Sequence, residues 1–109
     1  MNTLDIIFIE KKTNFPKSNI KLSNSDKLLL YGLNKQAIFG NINKQKPLFY
    51  KYNERQKWYA WKKNFNMTKN SAKNKYILII DEIIRDNKFN NLLNMYCLFG
   101  RYEHTFSKT

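Results

Sequence analysis

Two stretches of this sequence place cations beside aromatic rings at helical spacing. Tyr31 and Lys35 stand four residues apart, so a helix stacks them on one face, one turn apart. That sets a phenol, able to donate a hydrogen bond and to flank a flat ring, beside a fixed positive charge. Lys57-Trp58-Tyr59-Ala60-Trp61 repeats the chemistry, with its two tryptophans three apart. Together the stretches suit a groove for an anionic ligand with flat and apolar parts. The chemistry is binding, without an arranged catalytic set. One Cys and one His are too few for a zinc site or a nucleophilic triad. Asp81 and Glu82 are neighbours on a helix, point apart and make no acid–base pair.

The elements that must position these residues read as helices. Gly and Pro, three and two in 109 residues, are too scarce for a turn-rich β protein, and the length allows one domain with one modest core. A first helix is expected from about Leu4 to Phe15, ended or bent by Pro16. Ser23 is placed to cap a second helix from about Asn24 to Phe39, with Asp26 in its first turn and Gly40 at its end. That helix is apolar on more than one side, as expected at the centre of a small bundle. The connection from Asn41 to Tyr52 is long enough to run over a surface or line a site. Asn53 with Gln56 reads as a capping box for a third helix to about Asn64. Thr68 should cap a fourth, whose Ala72, Tyr76, Ile79, Ile80 and Ile83 form an aliphatic seam with Asp81 and Glu82 facing Arg85 and Asp86 outside it. Residues 1–86 are therefore read as one all-α domain and 87–109 as a C-terminal extension. The extension's apolar cluster, Leu92, Leu93, Met95, Tyr96, Cys97, Leu98 and Phe99, is expected to form a short fifth helix covering exposed surface.

The formal charge is +12, from twenty Lys+Arg against eight Asp+Glu. Such an excess points to an anionic partner: nucleic acid, a membrane surface or a phosphorylated ligand. Most of it is Lys, accompanied by many Asn, the pattern an AT-rich genome writes on solvated faces. The lone Cys97 excludes an internal disulfide and fits a reducing compartment. The first ten residues carry Asp5, no basic residue before the apolar run and no small-residue cleavage site, so they do not read as a secretory signal. No stretch approaches the roughly 20 apolar residues that cross a bilayer.

The sequence resembles the acyl-CoA-binding protein family. The resemblance rests on Leu28-Leu-Leu-Tyr-Gly-Leu-Asn-Lys-Gln-Ala37, Gly40-Asn-Ile-Asn43, Pro47, Lys57-Trp-Tyr-Ala-Trp61 and Ala72 through Tyr76-Ile77, in the family's order and spacing. It covers about Leu4 to Ile84. It implies a four-helix up-down-down-up bundle that binds acyl-CoA thioesters without reaction, as a cytoplasmic, monomeric carrier and pool-former. It implies that Tyr31, Lys35 and Lys57 surround the adenosine 3′-phosphate, that Tyr76 lines the ligand bowl, and that Leu28, Gly32, Leu33 and Asn34 belong to the same site. No cofactor and no metal are expected. Fatty acyl-CoA is the partner expected, with transient membrane or enzyme contact compatible and nucleic acid not favoured. Several positions depart from the family's pattern. Asn34 stands where a second tyrosine is usual, and Asn53 where a basic residue is usual. Phe8, Ile9, Lys11 or Lys12 stand where small first-helix residues face the ligand, and the usual acidic residue is missing around Ser71. These departures frame the alternative, a degenerate member acting as a basic interaction module for nucleic acid or protein.

Overall fold

The computed structural model describes residues 2–107 and is helical throughout its regular elements. Helix α1 spans Thr3–Asn14 and begins where the Asn2 side chain accepts the Asp5 backbone N–H at 2.9 Å. A single 3₁₀ turn, Phe15–Ser18, follows, with Pro16 near its start, where a missing N–H costs nothing. Asn19, at φ 58°, then reverses the chain in the left-handed region that Asn tolerates. Helix α2 spans Asn24–Phe39. Its start is the expected one, with Ser23 Oγ accepting the Asp26 N–H at 3.1 Å. Gly40 ends it at φ 78°, which a side chain would resist.

Helix α3 spans Tyr52–Lys62, with Lys51 at its N-cap, so it starts two residues earlier than a cap at Asn53 allows. Asn53 therefore lies inside the first turn, and the Gln56 side chain donates to the Tyr52 hydroxyl at 2.6 Å instead of closing a capping box. Thr68 Oγ1 accepts the Ser71 N–H at 3.1 Å and starts helix α4 as expected.

Helix α4 runs over Lys69–Ser107, 39 residues without interruption. The break expected near Asn87 is absent, and no separate fifth helix forms. Asn lowers helix propensity without blocking hydrogen bonding, and the stretch from Asn87 to Phe99 has neither Gly nor Pro. Phe89, Leu92, Leu93 and Met95 are exposed along the continued helix. The side chains of Tyr96, Cys97, Leu98 and Phe99 lie outside what the structure describes.

Helix α2 packs on α3 and on α4, and α1 packs on α4. The core is Phe8, Leu30, Leu33, Ala37, Ala72, Tyr76 and Ile80. Three contacts set the α1–α4 register: Asp5 with Lys73, the Phe8 ring edge-on to Tyr76 with centroids 5.2 Å apart, and Lys11 with Asp81 at 2.6 Å. Residue numbers rise together in all three, so α1 and α4 run parallel, as the first and last helices of an up-down-down-up bundle must. The Lys11 contact also places Asp81 against α1, not on a free outer face. Gln36, fully buried, donates to the Met67 carbonyl at 2.8 Å and to Asn41 at 2.9 Å, tying the end of α2 to the start of α4.

Candidate functional site

The connection between α2 and α3 is held in place by side chains of α3. Trp61 Nε1 donates to the Gly40 carbonyl at 2.9 Å, Trp58 Nε1 to the Lys44 carbonyl at 2.8 Å, and Arg55 Nη1 to the Pro47 carbonyl at 3.1 Å. A chain with little regular structure thereby becomes a fixed wall. Between that wall and the two helices lies a cavity of about 320 Å³, lined by Tyr31, Ile42, Pro47, Lys57, Trp58 and Trp61 among others. Its floor is apolar and aromatic and its rim is charged.

Tyr31 sits between two cations. Lys35 Nζ is 5.6 Å from the centre of its ring and Lys57 Nζ is 5.7 Å from it. Lys35 also lies 5.0 Å over the Phe39 ring, and Phe39 leans on Trp61 with centroids 6.1 Å apart. The described ion pairs are Lys11–Asp81, Lys51–Glu54 and Lys73–Asp5, and neither Lys35 nor Lys57 is in any of them. Two ammonium groups converging on one phenol repel each other and leave their charge directed outward. A dianion between them would take charge-assisted hydrogen bonds from all three side chains. The aromatic surfaces supply the complementary place for a flat ring.

The other residues singled out in the sequence fall elsewhere around this centre. Gly32 is the point where α2 and α3 touch, since a Cβ there would stand 2.2 Å from the Ala60 carbonyl oxygen. Leu28 lies on the opposite flank of α3, in a second hollow of about 490 Å³ with Leu29, Gln56, Tyr59, Ala60 and Lys63. It precedes Tyr31 by three residues, about 60° around the helix, which is enough to send the two side chains to different flanks. Leu33 is fully buried in the core. Asn34 is half-buried, and its Oδ1 has no hydrogen-bond partner. Tyr76 is buried against Phe8, and that burial pushes its phenol pKa above the usual value.

Tyr31, Lys35 and Lys57 are thus brought together from two helices, whereas Leu33 and Tyr76 pack inside the bundle. Sequence reasoning did not single out Phe39 or Ile42. Phe39 carried a signal, lying four residues after Lys35 on the same helical face. Ile42 stood only within the Gly40-Asn-Ile-Asn43 stretch of the resemblance, and its 9% exposure follows from a long connection that the tryptophans tether. Among the described residues no group of three or more His, Cys, Asp or Glu is placed to hold a metal, and no helix is long and apolar enough to cross a membrane.

Comparison with known proteins is consistent across sequence and structure. A family model described as "Acyl CoA binding protein" matches residues 7–80. The chain is 38% identical over 76 residues to acyl-CoA-binding domain-containing protein 3 of Oryza sativa subsp. japonica, covering 70% of this chain but only 47% of that protein's length. It is 35% identical over 79 residues to acyl-CoA-binding domain-containing protein 1 of the same organism, covering 72% of this chain and 84% of that one. Its fold is similar to the crystal structure of Oryza sativa acyl-CoA-binding protein 2, with a TM-score of 0.74 and 33% identity over 78% of this chain and 94% of the other.

Proposed function

The chain belongs to the acyl-CoA-binding protein family, and on that premise we propose that it binds medium- to long-chain fatty acyl-CoA esters non-covalently, carrying and pooling them in the cytoplasm as a monomer. The observation that carries this reading is the Tyr31 ring flanked at 5.6 and 5.7 Å by Lys35 and Lys57 at the edge of an aromatic cavity. The adenosine 3′-phosphate has nearly two negative charges. Placed between the two lysines and the Tyr31 hydroxyl, it would accept a charge-assisted hydrogen bond from each, worth roughly 1.5–3 kcal/mol apiece. That supports Tyr31, Lys35 and Lys57 as the headgroup residues. Leu28 and Asn34 complete the proposed set on the flanking surfaces, with Gly32 at the contact between α2 and α3 and with Leu33 and Tyr76 behind them in the bundle.

We propose that the protein's part is binding, without a reaction on the thioester and without a cofactor. Each buried CH₂ of the acyl chain adds about 0.8 kcal/mol, so chain length tunes affinity while the phosphate fixes orientation.

The test is a calorimetric titration with palmitoyl-CoA, run beside free palmitate and free CoA. One-to-one binding of the thioester, far tighter than either fragment, is the expected result. A folded sample that binds none of the three defeats the proposal.

A further inference from the structure

The segment that walls the cavity continues into an exposed apolar turn. The Lys51 N–H donates to the Leu48 carbonyl at 2.9 Å, closing a four-residue turn with Phe49 and Tyr50 at its tip. Phe49 is 82% exposed, Tyr52 68%, Tyr50 66% and Leu48 58%. Apolar residues scattered singly over a surface need no explanation, but a contiguous cluster of large ones marks an interaction site. The cluster is also presented firmly. Arg55 holds the Pro47 carbonyl and Trp58 the Lys44 carbonyl, while the Phe49 and Tyr50 rings meet edge-on at 5.6 Å.

The charge around this tip is one-sided. Between residues 44 and 57 stand Lys44, Lys46, Lys51, Arg55 and Lys57 against the single acid Glu54. Glu54 is itself 3.9 Å from Lys51. Amphipathic tyrosines belong at the level of lipid headgroups, a phenylalanine and a leucine reach below them, and flanking lysines extend to the phosphates. We propose that the Leu48–Tyr52 turn with Lys46, Lys51 and Arg55 is a docking surface for an anionic lipid bilayer. A duplex nucleic acid would use the cations and leave Leu48 and Phe49 in water, and a single strand could stack on the rings but would leave the aliphatic Leu48 unburied, so the apolar tip favours the bilayer. Docking there would bring the cavity, whose wall includes Lys44 and Pro47, to the membrane surface where an acyl chain resides. This inference goes beyond the acyl-CoA reading and does not require it.

The experiment is co-sedimentation of the full chain, without acyl-CoA, with phosphatidylcholine vesicles lacking or containing phosphatidylserine. Wild-type protein should bind only the anionic vesicles, and less as salt rises. Phe49→Ser should weaken that binding about tenfold, by loss of inserted apolar surface. Lys46→Ala with Lys51→Ala should weaken it roughly twenty-five-fold, about one factor of five per cation. Circular dichroism and palmitoyl-CoA titration of each variant should match wild type, which separates a failure of docking from a failure of the ligand site. The proposal is overturned if wild-type protein ignores anionic vesicles. It is equally overturned if Phe49→Ser binds as wild type does, which would reveal a plain polycation. A third adverse result is binding lost in Leu92→Ser/Met95→Ser but kept in the turn variants, which would move the docking surface to the extended end of α4.

Discussion

Gly32 on α2 faces the Ala60 carbonyl on α3 so closely that a Cβ at position 32 would lie 2.2 Å from that oxygen. This contact sets the spacing of the two helices that carry Tyr31 and Lys57. Replacing a mid-helix glycine with alanine normally gains about 1 kcal/mol of helix propensity. Here the methyl group would meet backbone, which cannot rotate away. Gly32→Ala should therefore destabilise the protein by about 1–3 kcal/mol, as other overpacking changes do, with the gain in propensity outweighed. Urea unfolding measures the shift, and the same variant should bind palmitoyl-CoA more weakly because Lys57 is displaced with α3.

The cation pair around Tyr31 predicts a specific loss. Lys35→Ala with Lys57→Ala removes two charge-assisted partners of the phosphate, together about 3–6 kcal/mol, or a hundredfold or more in palmitoyl-CoA affinity. Neither lysine is in an ion pair of the described set, so unfolding curves should stay close to wild type. Unchanged palmitoyl-CoA binding in the double variant would remove these lysines from the site.

How much of this arrangement was legible in the sequence differs by element. The bounds of α2 were, because Ser23 and Gly40 mark both ends with local chemistry that needs no tertiary partner. The Tyr31–Lys35 pairing followed from spacing within that one helix. Lys57 joins them across two helices, and only the resemblance of the whole stretch to a known family brought it near. The full course of α4 is not legible, because the polar run Asn87–Asn91 looks like a boundary although Asn residues do not break a helix as Gly or Pro does. The start of α3 was misplaced by a cap motif that the structure does not use. The tethers from Trp58 and Trp61 to backbone carbonyls were invisible, since each spans a connection of irregular conformation.

Trp61 supplies a further test of that connection. Its ring is 4% exposed and its Nε1 hydrogen is spent on the Gly40 carbonyl. Trp61→Phe keeps most of the apolar packing and leaves that carbonyl without its partner. Stability should fall by about 1–3 kcal/mol, the cost of an unsatisfied buried group with part of an indole removed. Hydrogen exchange should show the loss of protection concentrated at the C-terminal end of α2.

Tyr76 gives the stability curve an alkaline limb. Burial raises its folded-state pKa above the ordinary 10.0 that the unfolded chain retains. The unfolded state therefore releases the phenolic proton first. Stability is at its full value below about pH 10 and falls as the pH rises toward the folded-state pKa. Exposed Tyr59 is pulled in the opposite direction, chiefly by the neighbouring Lys46 ammonium, and so acts with opposite sign. The informative comparison is thus wild type against Tyr76→Phe. Chemical unfolding from pH 8 to 11 should show a drop in wild type that is shallower in the variant, and parallel curves would assign the drop to another group.

The division between bundle and extension can be separated by truncation. Among the described side chains, Ile83 and Ile84 are the last hydrophobic ones packed against the core, and Phe89, Leu92, Leu93 and Met95 beyond them are exposed. Burial, rather than helix propensity, supplies most helical stability in a protein, so the described stretch of α4 from Phe89 to Met95 contributes little to the bundle. A chain ending at Asp86 should keep the unfolding midpoint and the palmitoyl-CoA affinity of the full chain, while its helical ellipticity falls by the share of residues removed. A clear drop in midpoint would mean that the extension folds back onto the bundle in solution. A drop in affinity at constant midpoint would instead place part of the extension at the ligand.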